Sequence, residues 1–395
     1  MSRSPASPKS SALLKATACM LLALGVAAPA AAGPSMLVDA DTGRVLEQED
    51  AFARWYPASL TKLMTTYVAF RAIDAGEVTL NSPVRISERA TKEPPSKMGY
   101  PAGTVITLDA ALKILMVKSA NDVATAVGES LAGSQEAFAA RMNAEAERIG
   151  MTGSHFVNAH GLHDDRQYTT ARDLALLALT LRKEYPQHAG YFAVEAIGPG
   201  NDIIENHNTL IGRFAGANGM KTGYTCPAGY NLVASATQNG RTMLAVVIGA
   251  TSVGKRADKA ADLLGAGFAA KPDAQAQAPF LAAMATPAGG AAEATNMRST
   301  VCTAEAAKAR RAELDKDGKL VLKSAFLAAT APIPAVTPIV TGNATGPKSP
   351  FAPKFVRPMM VGNLPVPMPR PDRGLPESAV GSENAQADGT RGVLQ

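Results

Sequence analysis

The short apolar run Ser35-Met-Leu-Val-Asp-Ala40, the turn Asp41-Thr42-Gly43 and the return run Arg44-Val-Leu-Glu-Gln48 predict a β-hairpin. Helical spacing follows from Ser59 to about Ala75, with Gly76 placed as the C-cap. Residues 82–106 read as irregular, broken by Pro83, Pro94, Pro95, Gly99, Pro101 and Gly103. A capped amphipathic run, Thr107 to Met116, an alanine-rich helix from about Gln135 to Ile149 and a leucine-rich helix from about Ala171 come next. After residue 218 the period changes. Gly219 to Tyr224, Tyr230 to Ala236 and Met243 to Gly249 read as strands, the last two joined by the hairpin turn Gln238-Asn239-Gly240. Arg256 to Ala269 returns to a helix with Leu263, Leu264 and Phe268 facing inward.

A hairpin, a block of helices, three strands and a closing helix fit one α+β domain. Its sheet is expected to be antiparallel and assembled from both ends of the segment.

Composition narrows where that domain ends. Hydrophobic residues make up 46% of the 395, yet aromatics only 5%, and 15 of the 27 prolines follow position 270. The packed core is therefore expected within 33–270, followed by an Ala/Pro/Gln-rich linker at 271–298. A small segment at 299–330 would hold a short charged helix over 303–316 and a strand from Lys319 to Phe326. A proline-rich tail expected to be disordered fills 331–395. Residues 1–32 read as a secretory signal, with a basic start (Arg3, Lys9, Lys15), an apolar stretch from Ala16 to Ala28, and small residues Ala30-Ala31-Ala32 before Gly33. The greasy segment follows Cys19, which argues against lipidation there. Export would leave Cys226 and Cys302 in an oxidising compartment, where they could pair; two unpaired thiols is the other reading, and the sequence leaves both open. Net charge is +5, which suits a cell wall or lipid surface. The basic residues are scattered, without an aromatic-rich basic stripe, so nucleic acid is not the expected partner. Lys348, Lys354, Arg357, Arg370 and Arg373 make the tail basic, and a peripheral membrane or wall contact is expected through it.

Candidate chemistry begins at Ser59 and Lys62, three positions apart at the head of the first helix. That spacing puts both on one face, and a neutral amine beside a hydroxyl can take its proton. The plainer reading is a surface helix start with Ser59 as N-cap. Two further motifs decide between them: Ser119-Ala120-Asn121 between helical segments, and Lys221-Thr222-Gly223 ahead of the strand hairpin. Each alone is common; the ordered set at domain-scale spacing is specific.

With their surroundings, the motifs resemble the serine-type D-alanyl-D-alanine carboxypeptidases, the low-molecular-mass penicillin-binding proteins. The resemblance rests on Arg54-Trp-Tyr-Pro-Ala-Ser-Leu-Thr-Lys-Leu-Met-Thr65, Ser119-Ala-Asn-Asp-Val-Ala124, Asn158-Ala-His-Gly-Leu162 with Tyr168-Thr-Thr-Ala-Arg-Asp173, Gly219-Met-Lys-Thr-Gly-Tyr-Thr225 and Ala228-Gly-Tyr-Asn-Leu-Val-Ala-Ser-Ala236. It runs from about Ser35 to Ala270. It implies the penicillin-recognising serine transpeptidase/β-lactamase-like fold, a helical lobe beside an antiparallel sheet flanked by helices, with the site between them. Peptidoglycan stem peptides would be the substrate and β-lactams covalent inhibitors, with no cofactor or metal. Ser59 would be the nucleophile and Lys62 its base. Ser119 would bridge the lysines and pass a proton to the leaving D-alanine, and Asn121 would hold the substrate amide and orient Lys62. The N–H groups of Ser59 and Tyr224 would form the oxyanion hole, and Lys221, Thr222 and Gly223 with Arg256 would bind the substrate carboxylate. Tyr224 departs from the histidine that members often carry there, and the match at Arg256 is shuffled by a residue. Neither the family's second β domain nor its amphipathic anchor is recognisable.

Three other activities and one non-catalytic role compete with this reading. A class A β-lactamase needs a Glu-x-x-Leu-Asn run between the second and third motifs, and none occurs. An endopeptidase acting on cross-links shares the chemistry. A zinc hydrolase could use His155, His160, His163, Asp164 and Asp165, although that cluster overlaps the family's metal-free His-Gly-Leu stretch; His188 and His207 read as surface or hydrogen-bonded. A non-catalytic wall-binding protein would require a blocked cleft.

Overall fold

The computed structural model describes residues 33–271, 276–285 and 293–353. The expected signal at 1–32, with Cys19, and the tail from 354 lie outside them.

The hairpin forms as β1 (Ser35–Asp39) and β2 (Arg44–Glu49), and joins β9 (Arg241–Ala250), β8 (Gly229–Gln238) and β7 (Ala217–Thr225) in the order β2-β1-β9-β8-β7. All the pairings are antiparallel. The apolar runs are continuous because both faces are covered. Leu37, Leu232, Ala234, Met243, Ala245 and Val247 pack with α7 (Val253–Ala269) through Ala257, Ala260, Ala261 and Leu264. Met36, Val38, Val233, Leu244, Val246 and Ile248 enter the larger core with the helical lobe. Alternation of side chains along each strand produces this split.

The lobe contains α1 (Thr61–Asp74), α3 (Leu108–Val117), α4 (Asn121–Ala132), α5 (Gln135–Arg148) and α6 (Ala171–Glu184). Helix α1 buries residues around nearly its whole circumference, among them Leu63, Met64, Tyr67, Val68 and Phe70. An apolar helix of this kind belongs inside, and each fully buried Leu or Phe contributes roughly 1.5–3 kcal/mol of transfer free energy. Thr107, Ser134, Thr170 and Ser252 cap α3, α5, α6 and α7 through their hydroxyls. Gly76, with φ +69°, sits one residue beyond the Ala75 cap of α1.

Several expectations are corrected. Ser59 is not a side-chain cap: it lies in a 3-10 turn, Ala58–Leu60, that leads into α1. Residues 82–106 are not wholly irregular. They hold β3 (Pro83–Arg85), the one-turn α2 (Glu88–Thr91) capped by Ser87, and β4 (Val105–Thr107) paired with β3, pieces too short to show a period. Part of the expected linker is docked: Val45 N–H donates to Pro279 O and Leu281 N–H to Gly43 O (both 2.9 Å). This covers the edge of β2, which would otherwise expose unpaired backbone groups. Lys319 to Phe326 is not a strand but makes an isolated bridge from Leu320 to Leu314. Asp258 accepts from the N–H groups of Lys323 and Ser324, and Ser324 Oγ donates to Asp262, so side chains of α7 hold this stretch instead. Disorder from Ala331 onward is corrected for 331–353. There β10 (Val336–Ile339) pairs in parallel with β5 (Ala196–Pro199), which also pairs with β6 (Ile204–Glu205). Pro338 is tolerated because β10 is an edge strand. Beyond it Gly342 N–H donates to Val105 O, Gly346 N–H to Asn81 O and Ser349 Oγ to Leu131 O. The short charged helix is present as Ala304–Arg311, after a single turn at Arg298–Val301. Among the described residues no helix is long and apolar enough to cross a membrane.

Candidate active site

Ser59 is carried on the 3-10 turn ahead of α1, and two glycines press that turn into place. The backbone of Gly161, at φ +89°, lies so close to Ala58 that a Cβ there would overlap the Ala58 carbonyl. Gly223, on β7, comes so near that a Cβ would stand 3.0 Å from Ser59 N and 3.1 Å from Leu60 N. β7 is an edge strand of the sheet, and it faces the turn that carries Ser59 directly.

One helical turn on, Lys62 is fully buried. Its Nζ lies 3.0 Å from Ser59 Oγ, 2.8 Å from Asn121 Oδ1 and 2.6 Å from His160 O. Asn121 cannot turn round, because its Nδ2 donates to Pro94 O at 2.9 Å. Burial, and next the charge of Lys221, hold the Lys62 amine well below the usual lysine range, against the opposing pull of Asp122 and Glu93. A neutral amine has two N–H donors and one lone pair. The two carbonyl oxygens take the donors, which leaves the lone pair toward the Ser59 hydroxyl.

Ser119 occupies the turn between α3 and α4 in the left-handed region (φ +60°), where a non-glycine residue is costly and is held by its surroundings. Its N–H donates to Ile114 O (3.1 Å) and its Oγ accepts from Lys221 Nζ at 2.9 Å. The other contact of Lys221 Nζ is Thr222 O, also at 2.9 Å. The expected bridge from Ser119 is therefore present on the Lys221 side; the contacts of Lys62 go to Ser59, Asn121 and His160. Burial, then the Arg256 guanidinium, bring the Lys221 ammonium down to about 7.

A cleft of about 250 Å³ opens over these groups. It is lined by Ser59, Ser119, Asn121, Thr222, Gly223, Tyr224 and Arg256, so the sequence-derived set converges there with Lys62 and Lys221 beneath. Arg256 is buried and its two contacts are long, 3.4 Å to Asn231 O and 3.4 Å to His207 O, while its Nε has no partner among the described residues. Desolvation lowers it to about 10. Spare guanidinium donors beside a buried lysine suit a carboxylate. Tyr224 stacks on Tyr230, with centroids 4.3 Å apart.

Sequence reasoning missed Pro95, Ser96, Leu162, His207 and Thr225, which also line the cleft. His207 is kept neutral, its imidazole lowered to about 3 by burial and then by Lys221, Lys118 and Arg256. Asp122, which enters the sequence analysis only within the stretch Ser119 to Ala124, has a structural part here. It is fully buried and accepts from the N–H groups of Met98 (3.1 Å) and Gly99 (2.9 Å). With Asn121 N–H on Ser96 O (2.7 Å), it binds the 94–99 loop to the start of α4.

The histidine cluster does not converge as a metal set. His155 Nδ1 meets Arg166 O, His160 lies against Glu93 and accepts from Leu162 N–H, and His163 packs edge-on against Tyr56. His160 instead contributes its carbonyl to Lys62. Cys226 and Cys302 do form a disulfide, with Cα atoms 5.7 Å apart.

The family model for D-alanyl-D-alanine carboxypeptidase, peptidase S11, matches residues 25–252. The chain belongs to the D-alanyl-D-alanine carboxypeptidase family. The match ends four residues before Arg256, so the family model does not reach that residue. A curated relative, D-alanyl-D-alanine carboxypeptidase DacF of Bacillus subtilis, is 34% identical over 227 residues, covering 56% of this chain and 58% of the relative. The chain spans about three fifths of the length of the curated relatives it matches. Among solved structures, penicillin binding protein 6B from Escherichia coli is similar with a TM-score of 0.58 and 34% identity, over 60% of this chain and 77% of that one. Penicillin-binding protein D2 from Listeria monocytogenes, in its cefotaxime-bound form, gives 0.55 and 26% over 60% and 97%. These neighbours share the penicillin-binding protein fold, the α+β arrangement expected from the motifs.

Proposed function

We propose that the chain is a serine D-Ala-D-Ala carboxypeptidase that removes the terminal D-alanine from peptidoglycan stem pentapeptides through a Ser59 acyl-enzyme. The observation that carries this reading is the Lys62 amine, buried and facing Ser59 Oγ at 3.0 Å, with its two N–H donors spent on carbonyl oxygens. Lys62 takes the Ser59 proton as Oγ bonds to the carbonyl carbon of the terminal peptide bond. The N–H groups of Ser59 and Tyr224 receive the developing oxyanion. Ser119, held by Lys221, gives its hydroxyl proton to the departing D-alanine nitrogen as the C–N bond breaks and is reprotonated by the Lys62 ammonium, so the proton taken from Ser59 leaves on the amine and Lys62 returns to its neutral form. Lys221, Thr222 and Arg256 hold the free carboxylate, which selects for a chain end. Water then attacks the ester carbonyl, giving a proton to the neutral Lys62 amine, which returns it to Ser59 Oγ as the ester C–O bond breaks and the shortened peptide leaves.

The same geometry accepts a β-lactam, whose ring amide and carboxylate imitate the D-Ala-D-Ala end; penicillin would acylate Ser59. Further to this reading, the enzyme is exported to the periplasm or cell envelope, with the basic tail contacting the wall or membrane surface. Export is supported by the pattern of residues 1–32 and by the cysteine pair, and is checked by fractionation of cells expressing the full chain.

The test of the activity is direct. The chain from Gly33 onward is incubated with a fluorescent penicillin, denatured and run on a gel, and free D-alanine is assayed after incubation with a pentapeptide. Labelling lost in Ser59→Ala, together with D-alanine release, is the expected result. Folded protein that takes no label refutes the reading, and preferential cleavage of cross-linked dimers would reassign it as an endopeptidase.

A further inference from the structure

The chain that follows the catalytic sheet returns to the cleft. Thr295 N–H donates to Arg54 O (3.1 Å) and Met297 N–H to Pro227 O (2.8 Å). Val301 is fully buried. The next residue, Cys302, is bonded to Cys226 across 76 residues of sequence. Cys226 lies just past β7, in the turn toward β8. Arg310 donates to Val301 O at 2.7 Å and sits over the Tyr230 ring, 5.9 Å from its centroid.

Tyr224 is where these contacts meet the site. One face of its ring rests on Tyr230. Its hydroxyl lies 3.2 Å from Cys302 Sγ and 3.9 Å from Cys226 Sγ. The remaining surface lines the cleft. We infer that the Cys226–Cys302 disulfide, with the turn Arg298–Val301 that carries Cys302, is a positioning element of the substrate site that acts through Tyr224 on peptide binding. The inference rests on the carboxypeptidase reading and deepens it.

Physically, the bond fixes the tip of the β7–β8 hairpin covalently against a segment that is itself anchored through Thr295, Met297 and the buried Val301. With the bond intact, the Tyr224 ring is packed on Tyr230 and its hydroxyl rests against the two sulfurs, so the peptide has less of it to order on binding. The nucleophile is supported on one side by Gly161 against Ala58 and by Asn121 and His160 around Lys62, and on the other by the backbone of Gly223, which with that of Tyr224 is held by pairing with Asn231 and Tyr230 of β8, not by the disulfide. Opening the disulfide therefore weakens ground-state binding of an extended peptide and leaves the chemical step intact. A β-lactam, smaller and gripped close to Ser59, is affected less. Cys302 is exposed and Cys226 half-buried, so a dithiol can reach the bond. It would be oxidised to its cyclic disulfide while the two cysteines become thiols.

The experiment compares the chain from Gly33 onward, before and after dithiothreitol, with the Cys226→Ser/Cys302→Ser double variant and with Tyr224→Phe. The expected result is a KM for pentapeptide raised about fivefold with kcat changed less than about twofold, in both the reduced and the double-serine protein. Penicillin acylation rates stay within about twofold, and adding the serine pair to Tyr224→Phe gives less than the product of the separate effects. An unchanged KM overturns the inference. So does a fall in kcat that tracks loss of folded protein by circular dichroism, or full additivity with Tyr224→Phe. Failure of the parent chain to take up penicillin would instead refute the carboxypeptidase reading.

Discussion

Lys62 Nζ stands 3.0 Å from Ser59 Oγ with carbonyl oxygens as its other two partners. An ammonium would place three hydrogens on three acceptors; a neutral amine must direct its lone pair at the serine. Burial and the neighbouring Lys221 charge favour the second state. Replacing Lys62 by Met removes the base and keeps the volume. The expected loss in penicillin acylation rate is roughly 10²–10⁴-fold, the usual worth of a positioned general base. Unchanged thermal stability would show that chemistry, and not folding, was lost.

The two lysines predict a bell-shaped pH profile. Lys62 must be neutral to act, so activity is lost as pH falls through its lowered pKa, which sets the acid limb. Lys221 must be charged to hold a carboxylate. It is charged below about 7 in the free enzyme and discharges above it, which sets the alkaline limb of kcat/KM. Once the substrate carboxylate is bound, the ammonium is favoured, and the alkaline limb of kcat moves to higher pH. Lys221→Arg keeps the charge across this range, and is expected to abolish the alkaline limb near pH 7 while raising KM. Pentapeptide hydrolysis from pH 5 to 10 would measure both limbs.

Asn121→Asp tests how Lys62 is kept neutral. A carboxylate 2.8 Å from Nζ would stabilise the ammonium, and the donor to Pro94 O would be lost. The Lys62 pKa rises, so the acid limb of the profile moves to higher pH. At neutral pH we expect acylation to fall about 10²-fold, with partial recovery at pH 9. Asn121→Ala should lower the rate without that recovery.

Asp122 carries a structural prediction of a different kind. Its buried carboxylate receives the Met98 and Gly99 N–H groups, and the loop it holds supplies Pro95 and Ser96 to the cleft wall. Asp122→Ala leaves those donors unpaired, at a cost of about 1–3 kcal/mol. Urea denaturation would read that loss. Pentapeptide KM should rise with it, because the wall contributed by the loop loosens.

The three motifs were legible because the proposed reaction demands particular side chains, and pairing Ser59 with Lys62 needs a local spacing that a helix turn dictates. The sheet was legible because β1, β8 and β9 are apolar runs bounded by strong turns. What stayed hidden lacks a side-chain signature. The third partner of Lys62 is the carbonyl of His160, which any residue could supply; the histidine ring drew attention to metal chemistry instead. β3, α2 and β4 are too short to display a period. The strand Val336–Ile339 contains Pro338 and was assigned to the tail, since composition does not reveal that β5 offers it an edge. Whether Cys226 meets Cys302 depends on the route of the chain over 76 residues, which no local pattern encodes.

Gly161 and Gly99 separate two costs that sequence alone would merge. Both have positive φ, +89° and +75°. Around Gly99 a Cβ would meet nothing within 4 Å, whereas at Gly161 it would enter the Ala58 carbonyl and approach Thr61 Oγ1 at 2.9 Å. Gly99→Ala should therefore cost only the left-handed penalty, roughly 1–2 kcal/mol. Gly161→Ala adds a backbone clash at the turn bearing Ser59, so its stability loss should exceed that of Gly99→Ala by about 1–3 kcal/mol. The rate effect should differ more sharply. A displacement of Ser59 by about 1 Å from the Lys62 amine is enough to lower acylation about 10²-fold, while Gly99→Ala should leave it within about threefold at temperatures where both are folded. Equal rates in the two variants would show that the His160-Gly161-Leu162 segment does not set the position of the nucleophile.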